Sequence, residues 1–232
     1  MTHAYRAQSL DRRLYGVCAG LVEDNNDPEH EGRVKVRFPW LDDATVSEWC
    51  RVVQPYAGNG FGAVFVPEVR CEVLVAFIHG DMNEPVVIGG LYNGQDKPPT
   101  HHDGTNLDVK MIRTQAGHVV RLDDSAQTRA VEVKTNGGHD VMLDDQNRKI
   151  TVKSTGGHQL VLDDQGSKIT LKSTGGHQLV LDDQGSKIEL AASGGMGKLT
   201  IEASGQITLQ GTTIRINGQQ QVNVSAIQIN LG

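Results

Sequence analysis

Residues 154–171 read STGGHQLVLDDQGSKITL, and residues 173–190 read STGGHQLVLDDQGSKIEL. The two segments differ at a single position. Residues 135–152, TNGGHDVMLDDQNRKITV, form a weaker copy at the same 19-residue offset, and a degenerate copy begins at Thr114. A fixed period of this kind predicts a stack of similar supersecondary units rather than one globular core.

Apolar residues alternate with polar ones inside each copy. Leu160 and Leu162 share one parity, and Ile169 and Leu171 follow after an Asp-Asp-Gln-Gly turn. This two-residue period indicates short strands joined by hairpin turns. Similar apolar pairs recur to the C-terminus, which predicts about thirteen strands and a stack roughly 60 Å long.

The predicted strands are too poor in apolar surface to be stable in one chain. Each offers two or three aliphatic side chains, and no aromatic residue follows Tyr92. Burying so few side chains stabilises a strand by a few kcal/mol, which is comparable to the entropy lost on ordering it. We therefore expect identical chains to wrap around a common axis. The expected core positions are Leu160, Leu162, Ile169, Leu171, Leu179, Leu181, Ile188, Ile207, Leu209, Ile214 and Ile216.

A change of composition marks a domain boundary. All ten aromatic residues, all seven prolines and all three cysteines lie before Thr100. A polar, turn-rich segment follows Tyr92. We predict a barrel over residues 1–92, a linker over 93–113 and a repetitive needle over 114–232, with 19-residue repeats to about residue 190 and shorter repeats beyond.

The first domain has the pattern of a small all-β barrel. Segments rich in β-branched and aromatic residues are separated by clusters of glycine, proline, asparagine and aspartate. Five short strands in fewer than 100 residues fit an OB-type barrel. The predicted strands are residues 14–23, 33–38, 49–53, 71–78 and 85–91.

Charge and composition exclude several functional classes. The formal charge of −6 argues against binding nucleic acid, which favours basic surfaces. The first residues lack the apolar core of a signal peptide, and no apolar run is long enough to span a bilayer. We expect synthesis in the cytoplasm. No nucleophile–base or cofactor motif indicates an enzyme.

Two repeated polar motifs need interpretation. The Asp-Asp pair recurs in every copy, whereas a catalytic pair occupies one pocket, so we interpret the aspartates as turn formers. The histidines His139, His158 and His177 permit two interpretations. Three copies of one histidine at one level of a trimer could hold a metal or an anion near the axis. The interpretation that we favour is a hydrogen-bonded structural histidine.

An ordered series of motifs carries a family resemblance. Residues 32–41 read GRVKVRFPWL and residues 49–53 read WCRVV; residues 85–89 read PVVIG and residues 91–94 read LYNG. This series resembles the OB-fold domain of phage baseplate spike proteins and of the VgrG proteins of type VI secretion. The repeated Gly-His, Leu-Asp-Asp and Lys-Ile motifs resemble the needle segments of the same proteins.

The resemblance implies a fold, a function and partners. It implies a homotrimer with an OB barrel at the base and an intertwined triple-stranded β-helix, which acts as the central spike of a contractile injection system and performs no catalysis. Hub and tail-tube proteins are expected at the N-terminal end, with only transient contact with a target membrane. A PAAR-type tip protein is expected to contact Ile227, Ile229 and Leu231.

The sequence departs from the pattern of the larger relatives. We expect that no hub domain precedes the barrel and that no lysozyme domain separates barrel from needle, and no histidine follows His177 to form an apical iron site. The alternative function is a trimeric tail adhesin, in which the OB barrel binds a ligand and the needle is a stalk.

Overall fold

The computed structural model of the chain describes residues 13–42, 44–100 and 107–230. The chain divides into two compact units, with the boundary between Pro98 and Pro99. We call the first unit the head and the second the stem, and each is described by itself. In the described part of the chain, no helix has the length and apolar character needed to cross a membrane.

The head is built from short strands. Its strands are β1 (Val17–Asp24), β2 (Lys35–Arg37), β3 (Arg51–Val52), β4 (Ala57–Gly58), β5 (Phe61–Gly62), β6 (Glu72–Phe77) and β7 (Pro85–Gly90), and a 3₁₀ turn covers Ile78–Gly80. One five-stranded sheet has the order β2-β1-β6-β7-β3, in which only the β3–β7 pair is parallel. Strands β4 and β5 form a separate hairpin.

Each of the five strands predicted for the head is confirmed. Strands β2 and β3 are shorter than predicted because isolated bridges, Val34 to Cys50 and Arg37 to Val46, replace continuous pairing beside them. The β4–β5 hairpin was not predicted, since its strands are only two residues long.

Alternation along the strands produces a closed apolar core. In β6, Val73, Val75 and Phe77 are buried while the residues between them are not. The buried core cluster consists of Val22, Val34, Val36, Phe38, Cys50, Val73, Val75, Phe77 and Val87. The head thus buries one apolar core cluster within its own chain.

A carboxylate fixes the loop between β1 and β2. Asp27, whose side chain is 3% exposed, accepts hydrogen bonds from the backbone N–H groups of Glu29 and Glu31 at 3.1 and 2.9 Å. Arg33 donates to both of its oxygens, from Nε at 3.0 Å and from the guanidinium at 2.8 Å. The hydrogen bond from Arg33 holds the pKa of Asp27 well below its ordinary value.

The stem is one long antiparallel meander. Its strands are β8 (Val109–Arg113), β9 (Val119–Asp123), β10 (Ala130–Lys134), β11 (Asp140–Asp144), β12 (Lys149–Lys153), β13 (Gln159–Asp163), β14 (Lys168–Lys172), β15 (Gln178–Asp182), β16 (Lys187–Ala191), β17 (Lys198–Glu202) and β18 (Ile207–Gln210), with a 3₁₀ turn at Ser193–Gly195. The eleven strands pair in sequence order. At about 4.8 Å per strand the sheet is about 50 Å long.

The registers sort the stem side chains onto two faces. Leu160 pairs with Val152 on one side and with Leu171 on the other, and Leu162 pairs with Ile150 and Ile169. Between them, Val161 pairs with Thr151 and Thr170 on the opposite face. One face is therefore aliphatic along its length, and the other is largely polar.

Three details of the stem differ from the sequence predictions. Strand β8 lies inside residues 93–113, which were assigned to a linker, because its five residues extend the same alternating sheet. Eleven strands form within the described residues instead of about thirteen. Strand pairing from β8 to β18 occurs within one chain, whereas the wrapping of identical chains around one axis was expected to pair each strand with strands of other chains.

The segment after β18 contains no strand in its described part, residues 211–230. The expected apolar pairs Ile214/Ile216 and Val222/Val224 are exposed there. Each short segment has only two aliphatic side chains. Burying them against a single chain stabilises the segment by less than the conformational entropy that is lost on ordering it.

Candidate trimerisation surface

One face of the stem sheet is aliphatic and largely exposed. Leu171 is 53% exposed and Leu190 is 54% exposed, although both lie in the middle of paired strands. We call this surface the aliphatic face. It consists of Ile112, Val120, Leu122, Val131, Val133, Val141, Leu143, Ile150, Val152, Leu160, Leu162, Ile169, Leu171, Leu179, Leu181, Ile188, Leu190, Leu199, Ile201, Ile207 and Leu209.

Nine of the eleven expected core positions lie on this face. Leu160, Leu162, Leu179 and Leu181 are half-buried, whereas Ile169, Leu171, Ile188, Ile207 and Leu209 are exposed. The other two positions, Ile214 and Ile216, lie beyond β18 and belong to no strand. The aliphatic residues on β8 to β12 and β17 were not among the expected core positions. Their alternation with a period of two residues was the signal that could have identified them.

A contiguous apolar surface of this size is unusual on a soluble monomer. Patches larger than a few hundred Å² mark interaction surfaces or aggregation sites. Covering the face with an equivalent face removes aliphatic area from water at about 25 cal/mol per Å². The geometry is therefore that of a sheet made to pack against other copies or a similar surface.

The opposite face is stabilised by ion pairs within the chain. Lys149 lies 3.0 Å from Asp163, and Lys168 lies 3.1 Å from Asp182. Each pair joins neighbouring strands at directly opposed positions. These charges suit a face that remains in contact with water.

The first aspartate of each Asp-Asp pair forms a turn, as predicted. One carboxylate oxygen of Asp163 accepts the backbone N–H of Gly166 at 2.8 Å, and Asp182 does the same with Gly185 at 2.8 Å. These backbone hydrogen bonds lower the pKa of both carboxyls. Asp123 is held by Thr128 and Ser125, which lower its pKa to about 2. The contacts are structural.

The histidines bind backbone of the next repeat. The Nδ1 atoms of His139, His158 and His177 accept N–H groups from Thr155, Thr174 and Ser193, at 3.4, 3.3 and 3.1 Å. The glycine before each histidine allows this turn: Gly157 and Gly176 both have a φ of 87°. Hydrogen bonds through Nδ1 link successive turns along one edge of the sheet.

These contacts leave little capacity for a metal. An imidazole whose Nδ1 accepts a hydrogen bond carries its proton on Nε2, so neither nitrogen presents a free lone pair. The axial metal suggested for His139, His158 and His177 is therefore less favourable than the hydrogen-bonded role.

The expected tip residues lie near the end of the described chain. Ile227 is fully exposed and Ile229 is 50% exposed. Leu231 lies outside the described residues.

Two protein families match separate parts of the chain. Residues 18–92, which contain β1 from its second residue onward and all of β2 to β7, match the type VI secretion system/phage-baseplate injector OB domain. Residues 149–225, which contain β12 to β18, match the phage baseplate V C-terminal trimerisation domain. The second match covers all eleven expected core positions.

Several curated proteins are similar to this chain. The type VI secretion system spike protein VgrG3 of Vibrio cholerae is 28% identical over 51% of this chain and 12% of its own length. The spike protein VgrG1c of Pseudomonas aeruginosa is 38% identical over 49% of this chain and 17% of its own length. The actin cross-linking toxin VgrG1 of Vibrio cholerae is 26% identical over 50% of this chain and 11% of its own length. The chain thus spans less than a fifth of these relatives.

The fold and the matches together define a class. An injector OB domain is followed along one chain by a sheet whose later strands lie in the match to a baseplate trimerisation domain. In these two domains the chain is similar to phage baseplate V proteins and to VgrG spike proteins.

Proposed function

We propose that this protein is the trimeric central spike of a phage-tail-like contractile injection system, driven through a target envelope when the sheath contracts. The observation that carries the proposal is the exposed aliphatic face within the match to a trimerisation domain. Three such faces turned toward a common axis cover one another and leave the ion-paired faces outward. The role is structural and mechanical.

The head supports the attachment end of the proposed spike. It matches an injector OB domain, and its core is complete within one chain. We propose that hub and tail-tube proteins bind at this end.

The end of the stem supports a tip partner. Residues 211–230 present exposed aliphatic side chains, among them Ile216 at 71% and Val224 at 68%. We propose that a PAAR-type protein covers this segment in the assembled particle. The proposed path of the protein is synthesis in the cytoplasm, assembly into the particle and delivery outward on firing.

Particle purification tests the function. An epitope-tagged chain, expressed in its native host, is expected to copurify with sheath and tube proteins and to label one end of the particle in electron micrographs. A chain that never associates with sheath or tube, or that labels fibres on the side of the particle, would contradict the proposal.

A further inference from the structure

Each repeat places a histidine and an aspartate at opposite ends of one strand. His158 comes immediately before β13 and Asp164 immediately after it. Both positions have the parity of Leu160 and Leu162, so they continue the aliphatic face at its two margins. The same arrangement occurs in other repeats: His139 and Asp145 flank β11, and His177 and Asp183 flank β15.

The structure supports this marginal position independently. A shallow concavity is lined by Asp145 and Asp164 together with Leu143, Ile150 and Leu162 of the aliphatic face, and also by Asp144, Arg148 and Lys149. Another is lined by His177 together with Leu190 and Leu199. The histidines therefore lie along one edge of the aliphatic face and the aspartates along the other. We call these the histidine rim and the aspartate rim.

Both rims carry hydrogen-bonding capacity that the described chain does not use. The acceptor role of Nδ1 leaves an Nε2–H donor on His158 that has no acceptor within the described residues. The carboxylates of Asp145, Asp164 and Asp183 have no hydrogen bond or ion pair there. Their neighbours Asp144, Asp163 and Asp182, in contrast, are engaged by turns and lysines.

Threefold symmetry brings the two rims together. In a ring of three identical chains, each contact joins two different surfaces of the chain. The histidine rim of one chain therefore meets the aspartate rim of the next. Rotation about the axis keeps the height of a residue along that axis. Because His158 and Asp164 flank the same strand, they come to the same level on adjoining chains.

We propose that Nε2–H of each rim histidine donates a hydrogen bond to the rim aspartate at the other end of the same strand in the next copy of the chain. The pairs are His139 with Asp145, His158 with Asp164 and His177 with Asp183. This inference rests on the trimer of the proposed function. It names the surface on which two copies adjoin and the residues that seal it.

The pairing gives the trimer a geometry that aliphatic contacts alone do not specify. Leucine and isoleucine faces repeat every 19 residues, and apolar burial is not directional. If one chain shifts by one strand relative to its neighbour, each rim histidine lies opposite a turn that lacks the rim aspartate. If it shifts by one full repeat, one histidine or aspartate is left unpaired at each end of the ladder. In the degenerate first repeat, Asp124 is already bound by Lys110 at 2.5 Å, so the ladder of pairs stops there.

Disulfide formation tests the pairing directly. The two positions are six residues apart on an extended strand, about 20 Å, and a disulfide requires Cα atoms within about 7 Å. The double variant His158→Cys/Asp164→Cys can therefore form this bond only between chains. We expect oxidation of the full-length variant to give a covalent trimer on a denaturing gel, which reverts to single chains on reduction. His177→Cys/Asp183→Cys is expected to behave identically.

The control pair is Gln159→Cys/Asp163→Cys, at the ends of the same strand but on the opposite face. Wild type, oxidised in parallel, accounts for the native thiols Cys18, Cys50 and Cys71. Mass is measured by light scattering before oxidation. A trimer in which neither rim pair links, or in which the control links equally, overturns the rim pairing and leaves the trimer intact. A monomeric wild type overturns both.

Discussion

The head and the stem cover their aliphatic side chains by different means. In the head, Val36, Val75 and Val87 are fully buried by their own chain. In the stem, Leu171 and Leu190 leave about half of their surface exposed, at 53% and 54%. A closed barrel is sufficient for the first set, whereas a single flat sheet has an uncovered side. The head is thus a self-contained fold, and the stem is one part of an assembly.

The largest expected effect comes from a charge on the aliphatic face. Leu171→Asp is expected to dissociate the trimer, because losing the leucine alone costs about 2–5 kcal/mol in a covered core and an unpaired carboxylate adds to this. The neighbouring substitution Thr170→Asp, on the polar face, is the control. Light scattering should give a monomer for the first variant and a trimer for the second. Equal masses for the two variants would contradict the assignment of trimer contacts to the aliphatic face rather than to the polar face.

The reverse experiment alters the head alone. Val75→Ala removes a fully buried side chain from the barrel and is expected to destabilise the head by about 2 kcal/mol without changing the oligomeric mass. Val64→Ala, at a side chain that is 77% exposed, should change stability by less than about 0.5 kcal/mol. Thermal unfolding monitored by calorimetry compares the two. Loss of the trimer in Val75→Ala would show that the units are not independent.

Acid provides a smaller test of the head. The pKa of Asp27 is lowered by Arg33, so its contribution to stability is complete above the unfolded pKa of about 4 and is lost as the pH falls through the folded pKa. Asp27→Asn should lower the melting temperature of the head by several degrees at pH 6. Below about pH 4 the difference between wild type and variant should narrow. A difference that does not change with pH would contradict this assignment.

The smallest expected effect is on the polar face of the stem. Lys168→Met removes an ion pair of 3.1 Å in which the lysine is 45% exposed. Asp182 is 9% exposed and keeps the hydrogen bond from the backbone N–H of Gly185, so losing the partly exposed lysine is expected to cost only about 1 kcal/mol, and the trimer should retain its mass and nearly its melting temperature. A loss as large as that of Leu171→Asp would show that the outward face, rather than the aliphatic face, maintains the assembly.

Much of this architecture could be predicted from sequence periodicity. The alternation of Leu160 and Leu162 predicted the strand and its aliphatic face, and the clustered aromatic residues located the head. The turn role of Asp163 followed from its place before Gln-Gly. These are local properties, and local sequence specifies them.

Other features depended on contacts between distant residues. The acceptor role of His158 requires Thr174 from the next turn, sixteen residues away, so parity alone could not reveal it. Strand β8 escaped prediction because one short alternating segment beside a polar linker has little signal until β9 pairs with it. Whether strands pair within one chain or between chains likewise depends on how the hairpin turns close, which the alternating pattern does not show.

The central claim is that the stem completes its core only in a trimer. Light scattering on the full-length, purified protein tests it most directly. The account predicts a particle mass three times the 25.1 kDa of one chain, maintained on dilution to micromolar concentrations. A stable, soluble species of 25.1 kDa would contradict it.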